Sequence, residues 1–132
     1  MKMTASSVGN GSLSNINSYL YNDFYTNNVP NSWLRADLQG YQLKPNSYFI
    51  RSACHTSSLL RNWKLEGIKK DGTTVVLENK SFIIPLNEIK EFPLQTNDYF
   101  VAFKITQTGK NATNGDHFLI NVFDFKGELI KI

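Results

Sequence analysis

Cysteine occurs once in this chain, at Cys54, so no intrachain disulfide can form and the fold must rest on packing rather than on covalent staples. Long apolar runs are missing as well: none approaches the roughly 18 residues of a membrane-spanning helix, and no transmembrane segment is expected. Charge is not blocked. The 14 Lys and Arg residues against 11 Asp and Glu give a net charge of +3, but only Lys69 and Lys70 are adjacent among the basic residues. A nucleic-acid footprint gathers its cations on one face, whereas scattered lysines suit strand edges protected from pairing, so no nucleic acid is expected as a partner. No segment carries the 3.6-residue apolar period of a three-turn amphipathic helix, which removes the helical fold classes.

The first residues also lack the apolar segment of a secretory signal. With the single thiol, this favours a reducing compartment, and a cytoplasmic location is the expectation. A longer parent chain with a signal upstream would instead make the protein secreted. Only then would Asn10-Gly11-Ser12, Asn79-Lys80-Ser81 and Asn111-Ala112-Thr113 be glycan acceptors.

What is present fits one domain. The 132 residues, 41% apolar and 13% aromatic, can bury about two-thirds of their unfolded surface around a single core. Residues 1–18 are rich in Ser, Asn and Gly and read as a flexible lead-in; residues 19–132 read as the domain. From Ser32 onward the apolar period is close to two. Trp33, Leu34 and Leu38 flank Arg35 and Asp37, Tyr48 and Ile50 alternate with Phe49 and Arg51, and Trp63 and Leu65 alternate with Lys64 and Glu66. Lys70-Asp71-Gly72-Thr73 marks a hairpin before Val75-Val76-Leu77. Phe82 to Pro85 and Ile89 to Leu94 are short proline-punctuated pieces suited to an edge. Tyr99, Val101, Phe103 and Ile105 form one alternating face and Phe118, Ile120 and Val122 another, with Gly127 as the expected strand end. Seven or eight strands at such spacing predict an all-β, two-sheet antiparallel β-sandwich of jelly-roll type. Trp33 and Trp63 lie inside expected strands and are assigned to the core.

Five anchors in order then resemble one family. They are Ser32-Trp33-Leu34-Arg35-Ala36-Asp37-Leu38, Tyr48-Phe49-Ile50-Arg51, Trp63-Lys64-Leu65-Glu66-Gly67, Phe103-Lys104-Ile105-Thr106-Gln107-Thr108-Gly109-Lys110-Asn111 and Phe123-Asp124-Phe125-Lys126-Gly127. The series, over about three-quarters of the chain, resembles the discoidin family (the coagulation factor 5/8 C-terminal domain) among the galactose-binding-like jelly rolls. The Gln-Thr-Gly-Lys-Asn stretch looks like the intracellular eukaryotic and protist branch, whose domains accompany BTB, kinase or repeat modules. Thr73-Thr74 stand where members often carry Trp, and Lys104 where many carry Arg, which keeps the charge without the planar fork.

No catalytic set is legible. Cys54 and His55 are adjacent, so on a strand their side chains would diverge, whereas a nucleophile and its base must converge. Two histidines without a ligand pattern make a poor zinc set. Asp23 with Asn22 could donate to a loop calcium of the kind the resemblance implies, or simply form an Asx turn; no cofactor is assigned. The resemblance implies a ligand end built from Tyr21 to Asn31, Cys54 to Asn62 and Thr108 to Asp116. Within these loops Tyr25, His55, Leu59, Leu60, Arg61, Lys110 and Asn111 are the expected binding residues, offering stacking, hydrogen bonding and charge. Leu59-Leu60 falls where secreted relatives insert into membranes. Full burial in lipid would yield about 3 to 6 kcal/mol, against the reading in which one leucine packs beneath its own loop. The expectation is a non-catalytic recognition module, with a protein partner first and carbohydrate or phospholipid as alternatives; an accessory domain of an enzyme is the third reading.

Overall fold

The computed structural model describes residues 1–55 and 57–132. Among the described residues the chain forms β1 (Lys2–Ala5), a 3-10 turn (Leu13–Asn15), β2 (Trp33–Asp37), β3 (Tyr41–Arg51), β4 (Asn62–Ile68), β5 (Thr74–Ser81), β6 (Lys90–Pro93), β7 (Ala102–Gln107) and β8 (Val122–Lys131). The strands build a five-stranded sheet in the order β1-β2-β7-β4-β5 and a three-stranded sheet in the order β6-β3-β8. Neighbours in both pair antiparallel. The expected two-sheet β-sandwich is the fold observed.

Alternation explains the core. Leu34 and Ala36 of β2, Tyr48 and Ile50 of β3, Trp63 and Leu65 of β4 and Phe103 and Ile105 of β7 are buried and face each other between the sheets. Trp63 is the largest fully buried side chain. Its indole N–H donates to the Tyr48 hydroxyl at 3.1 Å, and that hydroxyl donates to Glu78, so one short relay joins β4, β3 and β5. A buried indole N–H needs such a partner. The hairpin between β4 and β5 turns where expected: Gly72 takes φ +90° and Asp71 accepts the Thr73 N–H at 2.9 Å.

Three expectations are corrected. Residues 1–18 are not a loose lead-in. β1 pairs with β2 from Lys2↔Asp37 to Ala5↔Leu34, Ile16 is buried, and the Asn17 side chain both accepts from Phe123 N–H (2.7 Å) and donates to Phe123 O (2.8 Å). Backbone pairing and an amide that mimics a strand hold this segment, and composition reports neither. Trp33 is half-buried on the outer face of β2, with the Lys104 ammonium 4.9 Å from its ring centroid. The inward positions of β2 belong to Leu34 and Ala36, so the pleat turns Trp33 outward. Gly127 does not stop β8, which runs on to Lys131. It sits opposite Pro45 at the β3 bulge, where a Cβ would lie 2.2 Å from the Lys44 carbonyl oxygen; close approach, not termination, is the reason for glycine.

Candidate functional site

One end of the sandwich gathers four connections: residues 21–32, 52–61, 82–89 and 108–121. They are sewn together by their own polar groups. Thr26 N–H donates to Phe118 O (3.1 Å) and Ile120 N–H to Phe24 O (3.1 Å), a short irregular ladder between loops far apart in sequence. The Asp23 carboxylate accepts from Cys54 N–H (2.7 Å) and His55 N–H (3.2 Å), which fixes the β3–β4 loop on the first. Ser52 Oγ accepts from Leu60 N–H and donates to Leu119 O. Ile84 N–H reaches Leu60 O, Asn87 N–H reaches Ala53 O, and Ala112 N–H reaches Leu59 O.

Buried polar side chains complete the scaffold. Asn111 is fully buried: its carbonyl oxygen accepts from Thr113 N–H (3.1 Å) and Gly115 N–H (2.9 Å), and its amide donates to His117 O (3.0 Å). Gln107 donates to Asp116 O and His117 O. Arg51, 5% exposed, forms no ion pair among the described residues. Its guanidinium instead donates to Asn121 Oδ1 (2.9 Å) and Leu20 O (3.0 Å) and lies 5.3 Å from the Tyr21 ring centroid. A buried cation is costly unless hydrogen-bonded, and here neutral acceptors and a π-face serve.

Between these loops lies a cleft of about 190 Å³ lined by Tyr25, Ser58, His117 and Leu119. The Tyr25 and His117 rings meet edge-on, centroids 4.9 Å apart. His117 Nδ1 lies 2.9 Å from Thr26 O. A carbonyl only accepts, so Nδ1 carries a proton toward Thr26 O and Nε2 is the ring nitrogen left to face the cleft. A second hollow, about 210 Å³, is lined by Pro30, Asn31, Thr108, Gly109, Lys110 and Asp116, with Lys110 Nζ paired to Asp116 at 2.5 Å.

The structure therefore sorts the expected binding residues. Tyr25 walls the cleft and Lys110 the adjoining hollow; His55 is exposed with its ring on Tyr21 O; Leu59 and Arg61 are half-buried nearby. Leu60 and Asn111 are corrections. Both have no exposed surface: Leu60 is in the core under its loop, and Asn111 is spent on its own loop, so neither side chain presents a surface to a ligand. His117, Ser58 and Leu119 were not assigned to binding from sequence. Leu119 had no signal, since it sits in a run that reads as continuous strand. Cys54 is buried, and burial pushes its thiol pKa up, which leaves it a poor nucleophile at neutral pH. Among the described residues no group of three or more His, Cys, Asp or Glu is placed to hold a metal ion, and no helix is long and apolar enough to cross a membrane.

Known structures share this architecture. The family 32 carbohydrate-binding module of Clostridium perfringens NanJ, solved with galactose, superposes with a TM-score of 0.78 over 94% of this chain and 91% of that one, at 14% identity. The fold is the antiparallel two-sheet jelly-roll β-sandwich of that module. The C-terminal domain of a Bacteroides fragilis chitobiase (TM-score 0.79, 9% identity, 98% and 95% of the two chains) and the fucolectin of striped bass serum (0.77, 16%, 96% and 46%) share it. No family model matches the sequence. Among curated proteins, the E3 ubiquitin-protein ligase Ufd4 of Drosophila melanogaster is 29% identical over 118 residues, which cover 82% of this chain and 4% of that protein. The chain thus spans a small fraction of the length of that relative.

Proposed function

We propose that this domain is a non-catalytic recognition module that engages a protein segment through the loop end of the sandwich, as one part of a larger intracellular protein. The observation that carries the reading is where the polar groups at that end are spent. Asp23, Arg51, Gln107, Asn111 and Asn121 bond to the loops themselves. The side chains left to solvent there include Tyr21 (58%) and Val29 (48%), with Leu20 (59%) and Tyr19 (48%) just before them in the chain, beside the polar Asn22, Asn27, Asn28, Asn31 and Ser57. An exposed aromatic and aliphatic surface suits a protein. Because the loops are already bonded, binding costs little ordering. The likeness to a short part of a long fly protein supports a place inside a larger chain.

The test is quantitative affinity capture with the wild-type domain and a Leu20→Ser, Val29→Ser double variant of unchanged thermal stability. The reading expects the bound partner to be lost from the variant; equal retention by both overturns it. A second reading, carbohydrate binding, is favoured by the cleft at Tyr25 and His117, whose volume suits a single sugar ring. Hits on a glycan array that vanish in His117→Ala would replace the first reading. Insertion of the Leu59-Leu60 pair into phospholipid is disfavoured, because Leu60 is buried in the core and Leu59 is half-buried.

A further inference from the structure

We propose that Asn10 is a site of spontaneous modification, converted through a cyclic imide to isoaspartate, and that the conversion unpairs the segment from which Tyr25 faces the cleft. The proposal rests on neither reading of what the loop end binds. Asparagine is thermolabile where the next backbone nitrogen can reach its side-chain Cγ, and a following glycine, having no Cβ, leaves that nitrogen open. Such a ring can close at Asn10-Gly11 and Asn114-Gly115, and at the acidic pair Asp71-Gly72. As letters the two Asn-Gly pairs are equivalent.

The fold makes them unequal. The nitrogen attacks only after giving up its proton, so an N–H that already donates is protected: its bond is lost on ionisation and the anion then faces an oxygen lone pair. Gly72 N–H donates to Lys69 O at 2.9 Å and Gly115 N–H to Asn111 Oδ1 at 2.9 Å. Asn111 is fully buried and tied to His117 O, so its acceptor stays in place. Gly11 N–H is free of such a bond. Asn10 engages Tyr25 with its own N–H (3.1 Å) and carbonyl (3.2 Å), and antiparallel alternation turns the next N–H, that of Gly11, away from Tyr25. Among the described residues nothing accepts it, nothing bonds to the Asn10 side-chain amide, and both residues are exposed.

The reaction balances with water as the only co-reactant. Gly11 N bonds to Asn10 Cγ, the bond from Cγ to the side-chain nitrogen breaks, and ammonia leaves with the proton that Gly11 gave up. Water then opens the imide. Opening at Cγ gives aspartate; opening at the former main-chain carbonyl gives isoaspartate, whose chain runs through Cβ and Cγ and is longer by one atom. That atom has no room here. A Cβ on Gly9 would lie 2.4 Å from Thr26 O and one on Gly11 2.5 Å from Asp23 O, so both neighbours of Asn10 already press on residues 23–26. The lengthened strap bows outward, the Asn10 oxygen leaves the main chain as a carboxylate, and Tyr25 N–H parts from it.

The test incubates the full chain in mildly alkaline buffer, folded and in denaturant, and follows both asparagines by peptide mapping with mass spectrometry; methylation by an isoaspartyl methyltransferase reports the isoaspartate. The ratio in denaturant, where neither N–H is engaged, is the reference. Against it, folding should favour Asn10 over Asn114 by about fivefold or more, the value of one hydrogen bond given up. The product carries one positive charge fewer than the net +3 of the chain and separates on a cation exchanger. In that isoaspartate fraction hydrogen exchange at Tyr25 N–H should quicken, whereas Asn10→Asp, of equal charge and unlengthened chain, should leave it unchanged. A folded chain in which Asn114 converts as fast as Asn10, an Asn10 that stays an amide, or an isoaspartate fraction with unaltered exchange at Tyr25 overturns the proposal.

Discussion

Replacing Asn111 with alanine is the sharpest test of how the loop end is held. The side chain has no exposed surface and supports the 108–117 turn from within, accepting from Thr113 and Gly115 N–H and donating to His117 O. The losses are unequal. Thr113 is exposed, so water can take over its N–H, and His117 O keeps the Gln107 amide at 3.3 Å. Gly115 N–H is part-buried and has no such substitute. One poorly satisfied donor costs about 1–3 kcal/mol and each lost neutral bond about 1 kcal/mol, so the sum is about 2–3 kcal/mol once solvent compensation at Thr113 is allowed. For a chain of this length that lowers Tm by roughly 6–15 °C, taking about 3–5 °C per kcal/mol. Urea unfolding followed by tryptophan fluorescence reads the change as a shift in midpoint at constant slope. Lys110→Ala is the internal comparison. Lys110 is an exposed partner of Asp116, and a surface pair contributes about 0–1 kcal/mol. An Asn111→Ala loss below about 0.5 kcal/mol, or one equal to that of Lys110→Ala, would refute the assignment of Asn111 to the scaffold.

Asp23→Ala should cost about 1–2 kcal/mol and speed amide hydrogen exchange at Cys54 and His55, whose N–H groups its carboxylate accepts; unchanged exchange there would count against the staple. Gly67→Ala places a Cβ 2.5 Å from the buried Phe100 ring and should destabilise by about 1–3 kcal/mol through overpacking, checked by thermal unfolding. Stability should fall as pH rises above about 10. Burial and donation to Glu78 raise the Tyr48 pKa, and burial and donation to Asp124 push Tyr19 up to about 12. Both phenols hold their protons in the folded chain at pH values where the unfolded chain has lost them, so the contribution is complete below the unfolded pKa and is lost above it. Tyr48→Phe should flatten that alkaline limb, read as unfolding midpoint against pH.

Much of the fold was legible because sheet formation leaves a local imprint. Alternation at Tyr48, Ile50, Trp63 and Leu65 determines which side chains turn inward, and Asp71-Gly72 determines where one hairpin reverses, with no information needed from elsewhere in the chain. The loops carry no such period. Leu59 and Leu60 are indistinguishable as letters, yet only Leu60 is driven into the core. Tyr25 and His117 share a wall because residues 24–26 pair with 118–120. Asn17 became part of a sheet edge through bonds to Phe123, 106 positions away. The sequence by itself determined that the chain builds two amphipathic β-layers, because the inward face of strands such as β3 and β4 is written in neighbouring residues. Tertiary structure alone decided which loop side chains are spent on the scaffold and which are left to meet a partner, because that depends on acceptors brought together from distant parts of the chain.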